Sequence, residues 1–434
     1  MKGFLAAGCL SPLGLIKAAV AKGTPNYKAL VCIYLSGGND AFNTIVPGES
    51  SSYQEYYTSR PMLAVNRDEL LPLNLGDTHQ LSLHPNLPDI QSLFNQNKAT
   101  AIINSGTLIE PGSKNDFKAG NSRKPPFLFA HNSQQKAWHS GWENSLQVTG
   151  WAGRMMDILA NHNAAVSPNI TLAGNPQWLQ GNSLQGFHVP TSGLKTYSAL
   201  SGNSRWAKAR SKHFDDIIAL PSQQLLKHEY KRFKQGAREA IDTLGSALGA
   251  AADLSDQFPK DNPLGKQLAM IARLISVHNQ LGSNRQVFYA QLGGFDTHAN
   301  QLSLHPSLLK TFNDAVSAFQ TTLDSWGMSD QVTTFTMSDF GRRILSNSNN
   351  GSDHGWAGHQ FVIGGAVTRP LVGKWPSLEV GSENDLNKGR IIPSIGSTQV
   401  SATLAQWFGV PPEIAGDIFP NLNNFNERNL GFLG

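Results

Sequence analysis

Residues 29–40 read ALVCIYLSGGND, and residues 287–298 read VFYAQLGGFDTH. Each is a short, unbroken apolar run rich in β-formers, which is the signature of a strand buried on both faces of a parallel sheet. Each run ends in paired glycines, which let the backbone turn tightly and approach a neighbouring group. Each then delivers an acidic side chain, Asp40 in the first and Asp296 in the second, the latter with His298 two residues on. A third run, VTTFTMSDFGR at 332–342, places Asp339 in the same position, and the turn-rich NGSDHG at 350–355 supplies His354. Open α/β sheets carry their chemistry in the crevice beyond the carboxyl ends of the strands. Carboxylates gathered there repel one another unless a cation neutralises them. A single aspartate after a strand often only caps the next helix or turn, but three repeats of the pattern point to convergence on one or two divalent metals.

The surrounding chain keeps the rhythm of a parallel sheet. Residues 86–97 read as a helix and 99–104 as a strand, whereas the polar 106–123 reads as a loop. A helix is expected to begin near His131 to Ser133, and an amphipathic one to span 150–162. Asn262-Pro263 opens another by an N-cap followed by proline. The strand Gln286–Leu292 leads to a helix opened by His305-Pro306 and reaching Trp326. Strands at 331–337 and 359–365 and a helix around 398–408 complete the pattern. Arg342 and Arg343 are placed at the start of a helix, where a guanidinium would hold an anionic substrate. The stretch 165–255 breaks the rhythm and is taken as an insertion or cap.

With 434 residues, 40% hydrophobic and 15% charged, the chain has enough apolar material for a large core. Its net charge of +4 is spread out, with no Lys/Arg block dense enough for nucleic acid. Nine tryptophans suit packing as well as they suit a carbohydrate surface. The first residues, MKGFLAAGCLSPLGLIKAAVAKG, resemble an export leader over 1–26, with Ala19-Val20-Ala21 as a small-x-small cleavage site. Pro12 and Lys17 make this stretch too short and interrupted to span a membrane. Removal of Cys9 with the leader would leave Cys32 alone, so cysteine usage does not fix the redox compartment.

Taken together, LSGGNDAFNTIVP, FAHNSQQKAW, GWAGR, GGFDTHANQ, SDFGRR, GSDHG and the closing IFPNL resemble the exported bacterial family known as domain of unknown function 1501 (DUF1501), from about residue 29 to 420. That family is grouped with the alkaline phosphatase and sulfatase superfamily. The resemblance implies an α/β fold, a three-layer sandwich with a largely parallel central sheet and a helical or loop insertion, in a periplasmic or secreted protein. It implies metal ligation by Asp40, Asp296, His298, Asp339 and His354, with Zn²⁺, Ca²⁺ or Mn²⁺ as the ions. The substrate would be a small phosphate or sulfate ester. Relatives commonly carry Ser-His where this chain has Ala130-His131, and Asp-His where it has Asp339-Phe340; many have Glu at 339. The nucleophile is then either Ser133, about one helical turn along, with His131 orienting the leaving group or helix start, or water activated by the ion. Arg342 would stabilise charge developing on the transferred group. The rival expectation is an exported binding or assembly protein that keeps the fold and works with an exported partner.

Overall fold

The computed structural model describes residues 27–142, 147–162, 164–194, 200, 202–221 and 224–434, so the expected leader at 1–26 lies outside the described residues. Its centre is a sheet of nine strands: β1 (Lys28–Leu35), β2 (Ala99–Gly106), β3 (Asn169–Thr171), β4 (Phe187–His188), β5 (Arg285–Leu292), β6 (Val332–Ser338), β7 (Gly358–Ile363), β8 (Leu371–Val372) and β9 (Ile395–Gly396). They run in the order β8-β2-β7-β6-β1-β5-β3-β4, with β9 beside β2. Every pairing is parallel except those of β7, which lies antiparallel between β2 and β6.

Strand β1 shows why the sheet is covered on both faces. Ala29, Val31, Ile33 and Leu35 enter one buried core, and Leu30, Cys32 and Tyr34 enter the other. Alternate side chains of a strand point to opposite faces, so an all-apolar run demands a layer on each side. The first layer contains α1 (Pro88–Asn95) and, further along the chain, α6 (Pro263–Ser276) and α7 (Gln301–Ser325). The second contains α3 (Trp151–Leu159) and α8 (Ser397–Phe408), beside α2 (His131–Ser140). The expected three-layer α/β arrangement is the observed one. Helices α4 (Arg205–Ala219) and α5 (Leu225–Ala250) form a helical hairpin whose C-terminal end joins the first layer through Ala240, Leu244, Ala247 and Leu248.

Three expectations change. Arg342–Ser346 is a strand, not a helix start; it pairs antiparallel with Ser352–His354 across an Asn-rich turn. Helix α7 begins at Gln301, before Pro306, because its entry is set by Asn300 in a left-handed conformation (φ 51°). Within the stretch read as an insertion, β3 and β4 extend the central sheet beyond β5.

Because β1 lies between β5 and β6 in parallel register, Leu35 is level with Leu292 and Ser338. Three strand ends, and the aspartates that follow them, therefore emerge on one edge of the sheet. Gly37 (φ 117°) makes this convergence sterically feasible, since a Cβ there would fall onto the Asp296 backbone nitrogen. Gly351 does the same for the returning hairpin, where a side chain would collide with the His298 carbonyl carbon.

Candidate metal centre

The loops after β5 and β6, the start of α2 and the hairpin 342–354 bring three imidazoles around one carboxylate. Asp296 Oδ1 lies 3.1 Å from His298 Nε2 and 3.3 Å from His354 Nε2, and Asp296 Oδ2 lies 3.5 Å from His131 Nε2. His298 Nε2 and His354 Nε2 are 2.9 Å apart. Ligand atoms of His131, Asp296 and His354 all fall within 4.8 Å of one another.

Each imidazole is fixed through its other nitrogen. His131 Nδ1 is 2.6 Å from Asp339 Oδ2, His298 Nδ1 is 3.2 Å from Asp353 Oδ1, and His354 Nδ1 is 2.8 Å from the Phe129 carbonyl. A carbonyl only accepts, so His354 must carry its proton on Nδ1. Burial raises the Asp353 carboxyl, but hydrogen bonds from Asn347 and His298 outweigh it and hold it below the usual range, so His298 is likewise protonated on Nδ1. In their neutral forms, two lone pairs then face each other across 2.9 Å with no proton between them, and Asp296 adds negative charge beside them. Burial also pushes His354 below the ordinary histidine value, which opposes relief by protonation. A cation between the two nitrogens, a metal ion or a proton on one Nε2, relieves this facing of acceptors.

Asp339 does not join the Asp296 carboxylate; it sits beneath His131. It accepts from the Tyr34 hydroxyl and from the Gly37 N–H at 2.9 Å. Burial pushes its pKa up to about 7 against the opposing influence of Gly37 and Arg342. Burial, followed by the charge of His354, lowers that of His131. Cation ligation at His131 Nε2 requires the imidazole proton on Nδ1, facing Asp339. The Phe340 ring stands 4.8 Å from His131 and 4.5 Å from His354, centroid to centroid, and walls the imidazoles.

Three further sequence-based assignments, Asp40, Arg342 and Ser133, meet a different environment. Asp40 caps the short helix Ala41–Thr44 and lies fully buried in a two-pronged ion pair with Arg60, at 3.0 Å for Nη1. Gln301 donates to its second oxygen, and its own carbonyl oxygen accepts from Ser352 and Thr297. Although burial raises its pKa, Arg60 more than reverses this, so Asp40 is an ionised structural carboxylate with its cation already supplied. Arg342 is equally committed. Its guanidinium donates to the carbonyls of Gly38 (2.9 Å), Ser352 (2.6 Å), Gly37 (2.6 Å) and Phe295 (3.0 Å) and to Asp296, and its side chain is fully buried. Buried and bonded through all three of its nitrogens, it braces the loops and keeps Asp296 ionised, an effect that overcomes the burial raising that group. Ser133 lies two residues beyond His131 in the first turn of α2; side chains so spaced on a helix do not face each other.

Tyr34, Asp353 and the Phe129 carbonyl are parts of the site that the sequence reading did not single out. Asp353 had a signal, an acidic residue adjoining a candidate ligand in Ser-Asp-His. Tyr34 sits in an unbroken apolar run and had none.

The chain belongs to the family described as "Protein of unknown function (DUF1501)", whose model matches residues 27–391. Among curated proteins none matches. Among solved structures, the chain is similar to the PsFucS1 sulfatase from Pseudoalteromonas sp. at 7% identity and TM-score 0.38, covering 92% of this chain and 72% of that one. It is similar to the lipoteichoic acid synthase LtaP from Listeria monocytogenes at 8% identity and TM-score 0.33, covering 92% and 78%. A Mg-bound TAB5 alkaline phosphatase mutant matches at 10% identity and TM-score 0.30, covering 78% of this chain and 92% of that one.

Proposed function

We propose that this member of the DUF1501 family is a metal-dependent hydrolase of small phosphate or sulfate esters, with one divalent ion held by His131, His298, His354 and Asp296. The observation that carries the reading is the set of ring nitrogens turned toward one another and toward Asp296, while their Nδ1 atoms are held by Asp339, Asp353 and the Phe129 carbonyl. Histidine ligands are oriented in this way by carboxylates and carbonyls behind them. Three imidazoles and one carboxylate suit Zn²⁺ or a similar borderline ion; Ca²⁺ prefers an all-oxygen set. When bound, such an ion lowers the pKa of coordinated water towards neutrality and offers positive charge to an anionic ester.

The residues of the chain have separable tasks. Asp339 and Asp353 hold the tautomers of His131 and His298. Asp296, with 47% of its side chain exposed, presents a carboxylate at the mouth of the site. Phe340 excludes water from one side of His131 and His354. Since Ser133, two residues on along the helix, does not share a face with His131, and Arg342 is buried in bonds to loop carbonyls, the reading favours activated water over a covalent serine and assigns Arg342 to bracing. The leader-like N-terminus supports action in the periplasm or outside the cell. Among the described residues no helix is long and apolar enough to cross a membrane.

Elemental analysis of the purified chain, with hydrolysis of nitrophenyl phosphate and nitrophenyl sulfate, tests the proposal. The expected result is about one equivalent of metal and a turnover lost in both His298→Ala and Asp296→Ala. Protein that binds no divalent ion at micromolar concentration would sink it. Protein that binds the ion but turns over neither ester would favour the rival, an exported binding or assembly protein.

A further inference from the structure

The hairpin of α4 and α5 departs from the ordinary surface in two independent ways. It leaves large apolar side chains in water: Trp206 and Ile217 on α4 with Leu220 at its C-terminal cap, and Leu226, Tyr230 and Phe233 on α5, with exposures from 48% to 86%. These are not scattered. Spacings of 11 and 14 residues bring the first three to one face of their helix, and spacings of 4 and 7 do the same for the second three. Burial on α5 begins only at Ala240, so its first fifteen residues stand clear of the core. Isolated exposed apolar residues need no explanation, but two aligned stripes beside one hairpin turn do.

The second departure is charge. Residues 205–238 hold nine Lys or Arg against three Asp or Glu, a surplus of six in a chain whose total surplus is four, so all the rest sums to minus two. The cations flank the apolar stripes. Lys234 lies over the Tyr230 ring at 5.4 Å, and Lys227 and Arg232 adjoin Leu226 and Phe233. Leu, Phe, Trp and Tyr on one side with a Lys/Arg collar is the composition of a helix that lies in a membrane interface. The rings and aliphatic chains enter the acyl boundary, while the long cations reach back to lipid phosphates.

We propose that this hairpin docks the protein onto an anionic lipid bilayer. A protein groove or a second copy would cover the apolar stripes equally well. The charge surplus, concentrated here and reversed elsewhere, favours a negatively charged surface, where each Lys or Arg strengthens adsorption roughly fivefold at low salt. The inference is independent of the metal centre.

Cosedimentation of the full chain with vesicles of phosphatidylglycerol and phosphatidylcholine tests it, beside pure phosphatidylcholine vesicles. Binding is expected to the anionic vesicles, weakening as salt rises. The double variant Leu226→Ser/Phe233→Ser should bind at least tenfold more weakly. The triple variant Lys227→Gln/Arg232→Gln/Lys234→Gln should lose at least tenfold on anionic vesicles. Circular dichroism and gel filtration confirm that both variants fold; their changes lie on exposed positions except Lys234, which is half-buried. No adsorption to anionic vesicles, or equal binding by wild type and both variants, would overturn the proposal. So would a dimer in solution that the double variant splits, because the stripes would then be an interface between copies.

Discussion

Asp40 and Asp296 follow neighbouring parallel strands, each just past a pair of glycines, yet their surroundings are opposites. Asp40 has no solvent exposure and finds its counter-ion in Arg60, with Gln301 and the Asn43 N–H using its remaining lone pairs. Asp296 is half open; its Oδ1 faces Arg342 and the Nε2 atoms of His298 and His354, and its Oδ2 faces His131 Nε2. The first is a closed electrostatic circuit inside the fold; the second is paired with Arg342 on one oxygen and stands open to solvent beside three imidazoles. A carboxylate after a strand is therefore no evidence of ligation until its cation has been looked for within the chain. The two sites are also coupled in construction, since Gln301 joins Asp40 to Ser352, beside the hairpin that carries His354.

The largest expected effect lies on the closed side. Arg60→Met leaves Asp40 ionisable and unpaired in a dry interior, a change that typically costs about 3–5 kcal/mol. Denaturant unfolding should show that loss, with metal stoichiometry unchanged in the folded protein. Asp296→Asn should cost far less stability while removing the bound ion, and an equal loss in both variants would break the comparison. Next in size is the stabilisation by metal. An ion present at about a hundred times its dissociation constant should raise unfolding free energy by about 2.7 kcal/mol. Thermal unfolding with and without Zn²⁺ should show the gain in wild type and its absence in His354→Ala. Smaller again is the contribution of the supporting carboxylate: Asp353→Asn should weaken metal affinity about 10- to 100-fold in a chelator competition. Unchanged affinity would mean that His298 needs no partner at Nδ1.

These differences also mark where the sequence stops being informative. The sheet was legible because β1 and β5 carry apolar residues on both faces, and only a two-sided core explains such runs. Asp296, His298 and His354 were legible because acid and imidazole recur at turn-rich strand ends. Nothing in the spacing distinguished Asp40 from Asp296, since Arg60 lies 20 residues beyond Asp40 and only tertiary packing brings it back. Arg342 was misread for a related reason: a charged pair after Ser-Asp resembles a helix start. The better signal was Asn347 to Gly351, a polar turn between two short segments, which marks a hairpin. His131 was visible only through the FAHNSQQKAW resemblance, because its tie to Asp339 spans 208 residues.

The smallest effect at neutral pH, and the one that separates the two sides under acid, concerns His305. It is buried beside Asn39, its Nε2 2.9 Å from the Asn39 side-chain oxygen, and burial lowers its pKa to about 3 despite the nearby Asp40 charge. In the unfolded chain a histidine titrates near 6.5. Between these values the unfolded state binds the extra proton, so the stability that neutral His305 contributes is complete above about pH 6.5 and is lost as pH falls toward 3. His305→Gln deletes one titrating group from that balance. Plotted against pH between about 6 and 4, the unfolding free energy of this variant should fall less steeply than wild type by about 1.4 kcal/mol per pH unit, while the two differ little in slope above pH 7. His84, His139 and His359, lowered to about 4, 3 and 3 by burial, retain the rest of the acid limb in both proteins. Equal slopes would mean that His305 takes up its proton without unfolding, and the interior around Asp40 would then be less closed than the Asp296 site it is set against.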